Sequence, residues 1–560
     1  MEQVIIIGGG ISGLTCAVHL AERGLRPLVI EADPVWLGGR LRDEPEVELE
    51  HRGRTWFFPG EHGVHGLWSP YVNLRGMLSR WGIAPAYVPA QDETWIFGQG
   101  RRVRKANIGR AIRSSWWPAP FHYMSLLARP RFLAMINLRD IASMFRVLGG
   151  LFSAMALDPL AEQKALAHLS LADFTKGWSP TLRGLFAGLA RNALAAHPED
   201  VPAAGFIAFL RFYTVMRRDA WAFDYLPASA GTAIIEPLAA TVRQAGAEIW
   251  QGAQVVKLMP MPDGAGWWVT VDEDGRRQTL ETHQVVLAVS SPAARKLLEG
   301  NLWELVGTQR NSVNSEQSTV ISDQLPVTSY QSPVSSLSVS QSPFPQPSAL
   351  STQHSVLPPL HFPTGVPTAI IRAWFDRQPE GVSEAGIFSG DFIMDNFFWL
   401  DRLQDGFREW SRETGGSAVE VHIYGPPEVL AQPDALLLAR VLLDLHRAFP
   451  ELRGYNLKIK LQRNEATHTL FSVGEPGQHL ETVTPWAGMF ACGDWVYHPA
   501  PAMYLERAVV TGIAAANAIL SSHALQPFPL LPHPEPEPLA GWLSRQWGKA
   551  YRRLARHSNS

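Results

Sequence analysis

The apolar run Val4-Ile5-Ile6-Ile7 leads straight into Gly8-Gly9-Gly10-Ile11-Ser12-Gly13, and a second run, Leu28-Val29-Ile30, ends in Glu31. A buried strand, a G-x-G-x-x-G loop and a helix in that order constrain the chain to a narrow set of folds. Gly8 permits a tight turn and Gly10 lets the backbone approach a pyrophosphate. Gly13 lets the helix pack closely, while the unpaired N–H groups of that helix face the phosphates. Glu31, eighteen residues after Gly13, can accept hydrogen bonds from ribose hydroxyls. The pattern predicts a Rossmann-like dinucleotide cradle containing Gly8, Gly10, Ile11, Ser12, Gly13, Glu31 and Ala32.

Gly38-Gly39-Arg40 follows Glu31 by seven residues. An NAD-binding domain has no use for it. In two-dinucleotide-fold flavoproteins such a loop gives close backbone approach and a cation for the phosphates or flavin edge, so FAD is the expected cofactor. The plainer alternative is a turn with a solvated Arg40. Near the far end, Gly488-Met489-Phe490-Ala491-Cys492-Gly493-Asp494 reads as a strand ending in Gly-Asp, and 504–517 as a helix with Gly512, Ala515 and Ala516 on one face. Asp494 can bond a ribityl or phosphate-side group, and the helix dipole would point toward the flavin.

With 560 residues, at least two domains are expected. A net charge of −3 with mixed signs gives no reason to bind nucleic acid. Cys16 and Cys492 lie in a helix and a strand pattern with no metal-ligand spacing and read as buried thiols. The first strand begins three residues after Met1, which predicts a cytoplasmic chain without a signal peptide. No apolar run reaches the roughly 20 residues of a spanning helix, yet the Trp-, Phe-, Leu- and Met-rich stretch 112–157 suggests an exposed apolar surface and a lipid-facing mouth.

Hydrophobic periodicity divides the chain. Residues 1–85, 229–300 and 455–525 form an expected discontinuous cofactor domain, in which Val255 contacts adenine through its backbone. Residues 86–228 and 358–454 form an interleaved α+β substrate or cap domain, helical and strand-poor in its first part apart from Thr94-Trp95-Ile96-Phe97. The Ser-, Gln- and Pro-rich stretch 301–357 reads as a disordered insertion. Residues 526–560 read as a Pro-rich linker and a basic amphipathic helix with Leu543, Trp547, Tyr551 and Leu554 on one stripe. Contact with the inner face of a membrane and packing on its own domain weigh evenly for that helix.

The G-x-G-x-x-G with Glu31 and Gly38-Gly39-Arg40, joined to Gly493-Asp494 and Glu506-Arg507-Ala508-x-x-Thr511-Gly512, resembles the FAD-containing amine oxidase and phytoene desaturase superfamily. Glu61-His62-Gly63-Val64-His65-Gly66, followed by Asn73-Leu74-Arg75, is similar to the carotenoid desaturase branch typified by isorenieratene synthase. The resemblance adds Glu506 and Ala508 to the expected FAD contacts. It implies a two-dinucleotide-binding-type α/β fold, an apolar carotenoid substrate and C–H oxidation by FAD, with an aromatising methyl shift on a β-ionone ring in view. A cationic intermediate there would be stabilised by aromatic faces and a carboxylate; Glu61 and Trp56-Phe57-Phe58 are the candidates, and Arg40 and His65 are placed to tune the flavin. With one Rossmann fingerprint, quinone or oxygen is the expected electron acceptor. His62, His65 and Glu61 also invite a metal reading, which the surrounding glycines disfavour; Asp391, Asp395 and Asp401 read as structural acids. A flavin amine or porphyrinogen oxidase, and a non-catalytic flavin-binding protein, remain alternatives.

Overall fold

The computed structural model describes residues 3–160, 162–299, 360–470 and 478–558, and the predicted insertion 301–357 lies outside them. Five parallel strands, β1 (Gln3–Ile7), β2 (Arg26–Ile30), β3 (Glu248–Trp250), β4 (Gln284–Leu287) and β5 (Met489–Ala491), stand in the order β3-β2-β1-β4-β5. Alternation along β1 gives each face its core. Val4 and Ile6 pack on helices α1 (Ile11–Glu22) and α2 (Tyr504–Ser522), while Ile5 and Ile7 face an antiparallel sheet built from Ala253–Pro260, Trp267–Glu273 and Arg276–Thr282. A parallel sheet covered on both faces is what near-continuous Val, Ile and Leu runs specify.

The small residues on α2 let it lie against α1: a Cβ on Gly512 would sit 2.7 Å from the Ser12 carbonyl oxygen. Cys16 and Cys492 are buried free thiols at this junction, and burial pushes the Cys492 pKa up to about 12.

A seven-stranded sheet forms the second layer, in the order Asn456–Asn464, Thr368–Phe375, Ser417–Ile423, Asn396–Trp399, Ala385–Gly390, Glu93–Gln99 and Arg102–Asn107. Val419, Val421 and Ile423 pack against Leu437, Val441 and Leu445 of the helix Asp434–Ala448. The intervening Glu420 and His422 therefore point to the opposite face. Two expectations are corrected here. Residues 456–464, assigned to the cofactor domain, form the edge strand of this sheet, paired with Thr368–Phe375. The region following residue 86 carries a full hairpin, Glu93–Gln99 with Arg102–Asn107, instead of one short strand.

Helix α3 (Pro538–Ser558) packs alongside the helix Leu138–Ala156. Ala540 is fully buried, Leu543 joins the large core, Trp547 lies 5.3 Å from Phe152, and the Ser544 hydroxyl donates to the Met155 carbonyl. Its predicted apolar stripe is thus used in part for packing on its own chain. No helix among the described residues is long and apolar enough to cross a membrane.

Candidate active site

A cavity of about 1220 Å³ runs from the glycine loop to the seven-stranded sheet. Gly8, Gly10, Ile11, Ser12, Glu31, Ala32, Gly38, Gly39, Arg40, Val255, Gly493, Asp494 and Ala508 all line it, as does His65. Its volume exceeds the ~300–1000 Å³ usual for a single small ligand, which leaves room for a nucleotide and a second molecule.

The cradle is shaped for a dinucleotide. Gly8 has φ +110° and its added Cβ would lie 2.6 Å from the Ala288 carbonyl oxygen; the turn admits no side chain. Gly10 and Gly39 differ: a Cβ on either would meet no protein atom closer than 3.8 Å. Side chains there would fill the cavity rather than strike the protein, as expected where a ligand's backbone-binding surface lies. Glu31 accepts from the Gly9 N–H at 2.7 Å and the Asp33 N–H at 2.9 Å, which fixes the carboxylate at the end of β2. Gly38 donates its N–H to the Gly9 carbonyl at 2.9 Å, locking the two glycine loops together. Arg40 pairs with Asp494 at 2.7 Å, so the two ends of the sequence meet at one ion pair. Val255 sits where its strand bulges before Lys257.

The opposite end is aromatic. Trp68, Tyr71, Phe209, Tyr213, Trp221, Phe223, Tyr225 and Phe398 line it, and Trp68 lies 4.5 Å from Phe223 and 4.9 Å from Tyr213. Glu93 is the carboxylate at this end. It takes two hydrogen bonds from Arg113, at 2.8 and 3.0 Å, and one from the Trp221 indole at 3.3 Å. Burial raises its pKa to about 7 against the opposing pull of Arg113.

Behind the wall lies a buried polar network. Arg372 donates to Glu420 at 2.7 Å and to the Pro59 carbonyl at 2.6 Å, with Glu61 at 3.6 Å on its other side. Glu420 also accepts from the Val64 N–H and is bridged at 2.7 Å by His422. The other ring nitrogen of His422 lies 2.7 Å from the Tyr424 hydroxyl, and both residues reach the cavity. Burial raises the Glu420 pKa, but Arg372 and His422 outweigh it and hold the group down at about 2. Glu61 goes the other way: burial, aided by Glu420 and opposed by Arg372, lifts it to about 7. One arginine thus serves two carboxylates, and Glu61 is the one whose protonated form burial favours. Burial also lowers His62 to about 3 and His65 to about 4, so both imidazoles are neutral near pH 7.

This has a consequence for stability. The folded-state pKa of Glu61 lies above its ordinary value of 4.5, so the folded chain binds a proton more tightly than the unfolded one. Stability from this group is complete below about pH 4.5 and is lost as pH rises through about 7. Glu61→Gln removes that loss. Thermal melts from pH 5 to 8 should show the variant gaining on the parent as pH rises; parallel curves would contradict the assignment.

Several sequence expectations are corrected. Glu61 does not line the cavity; it is buried, accepting from Gln404 and, at 3.4 Å, from the Ala230 N–H. Glu506 is also away from the cavity lining. Its carboxylate accepts from the N–H groups of Asn73 and Leu74 at 2.8 and 3.0 Å, from the Asn73 amide at 2.9 Å and lies 3.0 Å from His533. It caps the helix Val72–Arg80, and Asn73 in turn holds Leu531 through both polar atoms of its side chain. Gly13 acts through packing alone, since its Cβ would lie 2.1 Å from the Gly8 carbonyl oxygen. In Trp56-Phe57-Phe58, strand alternation sends Trp56 and Phe58 into a core with Trp374, Phe407 and Trp410, and leaves Phe57 outside. Among the acids read as structural, Asp391 pairs with Arg447, Asp395 with Arg191, and Asp401 accepts from the Ala418 N–H.

The sequence reading missed Glu93, Arg372, Glu420, His422 and Tyr424. The alternation Glu420-Val421-His422-Ile423-Tyr424 carried a signal, because three polar or aromatic side chains share one face of a strand whose other face is wholly apolar.

Residues 6–81 match the family model described as an NAD(P)-binding Rossmann-like domain. A carotenoid phi-ring synthase of Chlorobaculum tepidum is 23% identical over 95% of this chain and 90% of its own. A protein of the same description from Streptomyces griseus is 26% identical over 92% and 87% respectively. Among solved structures, putrescine oxidase bound to putrescine superimposes with a TM-score of 0.60 at 14% identity, covering 93% of this chain and 99% of that one; the likeness is one of fold.

Proposed function

We propose that this chain, a member of the FAD-dependent amine oxidase and phytoene desaturase superfamily, is a carotenoid-modifying oxidoreductase that oxidises an end ring held in the aromatic half of its cavity. The observation that carries this reading is the continuity of one cavity from the double glycine cradle to a box of aromatic side chains. The relatives aligned along nearly their whole length are phi-ring synthases, which supports a carotenoid over an amine.

FAD fits the residues present. Gly8, Gly10 and Ser12 at the start of α1 would hold the pyrophosphate, Glu31 the ribose, Val255 the adenine, and Arg40 with Asp494 the phosphate or ribityl side. When bound, FAD supplies the acceptor for hydride. The protein does the rest. Apolar walls exclude water, and aromatic faces stabilise positive charge left on a ring carbon after hydride departs. Aromatising a β-ionone ring requires two such oxidations, each removing a hydride and a proton, and one redox-neutral methyl shift away from the quaternary carbon. Glu93, with a pKa near 7, is the cavity carboxylate suited to take a proton from the ring. Quinone or oxygen is the acceptor proposed for the electrons.

Expression in cells that accumulate β- or γ-carotene, followed by pigment chromatography, tests the reading. New, more oxidised carotenoids are expected. Unchanged pigments alongside well-expressed, FAD-loaded protein would reject it.

A further inference from the structure

Residues 116–146 carry eight of the twenty large apolar side chains left exposed among the described residues. Trp116 is 75% exposed and rests on Trp117, with ring centres 4.3 Å apart. On the helix Leu138–Ala156, Leu138, Ile141 and Phe145 recur at spacings of three and four and are 84, 59 and 84% exposed. The opposite face of that helix, with Ser143 and Val147, is buried against Trp178 and Leu182. A surface helix normally turns its polar side to water; this one is apolar on both sides.

Along the sequence, the charge of this stretch is almost all of one sign, and the acid that meets it from elsewhere, Glu537, accepts from the Ala119 N–H and pairs with Arg218. Between Arg101 and Leu157 there are ten Lys and Arg residues and a single acid, Asp140, which is buried and accepts from the Asn137 N–H at 2.7 Å. Arg129, Arg131 and Arg139 are exposed, and none of them forms an ion pair with a described residue. The patch also adjoins the cavity. Tyr123 packs on Trp221, ring centres 6.4 Å apart, and Trp221 lines the aromatic end. Ile108, another lining residue, leads into the helix Gly109–Arg113 and on to Trp116.

We propose that residues 116–146 form a docking face for a bilayer containing anionic lipid, with Leu138, Ile141 and Phe145 entering the headgroup boundary and Arg129, Arg131 and Arg139 meeting the phosphates. Apolar area and cations side by side are the two contributions from which such binding is built. Helix α3 packs at the far end of the helix Leu138–Ala156, against Phe152 and Met155. This inference stands apart from the substrate assignment, because vesicle binding is read without turnover.

Co-sedimentation of the full-length, FAD-loaded protein with vesicles of phosphatidylcholine, with and without phosphatidylglycerol, tests it. Strong, salt-sensitive binding to the anionic vesicles is expected. Leu138→Glu/Ile141→Glu/Phe145→Glu should lower the affinity at least ~10-fold, with Phe145→Glu alone as the milder variant should the triple one fail to fold. Arg129→Glu/Arg131→Glu/Arg139→Glu should abolish the preference for anionic lipid. Trp542→Glu/Tyr551→Glu on α3, which leaves the Trp547–Phe152 contact in place, should stay within about twofold of the parent. Undiminished binding by the variants in residues 129–145, or binding lost only in the α3 variant, would overturn the proposal. So would a dimer in solution that dissociates on Phe145→Glu and binds no vesicles, which would make the face an interface between two copies of this chain.

Discussion

Gly10→Val is expected to give a protein that folds, purifies colourless and takes up no FAD. Gly10 has φ −73° and ψ 174°, extended backbone open to any residue, and its added Cβ would have the Gly38 carbonyl oxygen at 3.9 Å as its nearest neighbour. The chain therefore accommodates the side chain. The cavity does not, because the isopropyl group would stand over the first N–H groups of α1, where a pyrophosphate must come close. Loss of a capping glycine costs the helix only about 1 kcal/mol. Gly13→Val provides the contrast, since its Cβ would lie 2.1 Å from the Gly8 carbonyl oxygen and force the helix off the sheet. The first variant should melt near the temperature of the cofactor-free parent, and the second should fail to fold. A yellow Gly10→Val protein with parental flavin content would contradict this reading of the cradle.

The second large effect is expected at Arg372, which is 5% exposed and lies between Glu420 and Glu61. Arg372→Met would leave a buried carboxylate whose ionised form depends on that guanidinium. Removing one partner of a buried pair typically costs about 3–5 kcal/mol, whereas replacing all members by groups that carry no charge is close to neutral. Arg372→Met should therefore be strongly destabilised in denaturant melts, and Arg372→Met/Glu61→Gln/Glu420→Met should recover most of the loss. If the single variant melts like the parent, the three residues do not form the coupled network described.

The two variants also mark what the sequence revealed and what it withheld. Gly8, Gly10, Gly38, Gly39 and Gly493 were legible because their requirement is local: a turn or a close approach excludes side chains wherever the rest of the chain goes. Asp494 was legible as the end of a strand, and its pairing with Arg40 follows once both loops reach one cavity. Arg372 and Glu420 were not, because they meet only when strands far apart in sequence take the register Arg372 opposite Glu420. Alternating polar residues on a strand read as a solvated face, yet here both faces are buried. The same limit applies to Trp56 and Phe58, expected to stabilise a cation at the reacting ring, because nothing local to the run shows that they pack into a core with Trp374, Phe407 and Trp410. Glu506 was mistaken for a cofactor contact because its helix does line the cavity, through Tyr504, Leu505 and Ala508, while its own side chain points back to Asn73.

The most direct test of the central claim, that one cavity holds FAD beside the ring it oxidises, is a single turnover without oxygen or quinone. FAD-loaded protein would be mixed anaerobically with β-carotene in detergent, and pigments and flavin redox state would be measured together. The expected result is oxidised carotenoid in step with reduced flavin, up to one two-electron equivalent per bound FAD. Fully loaded protein that leaves both pigment and flavin unchanged would contradict it.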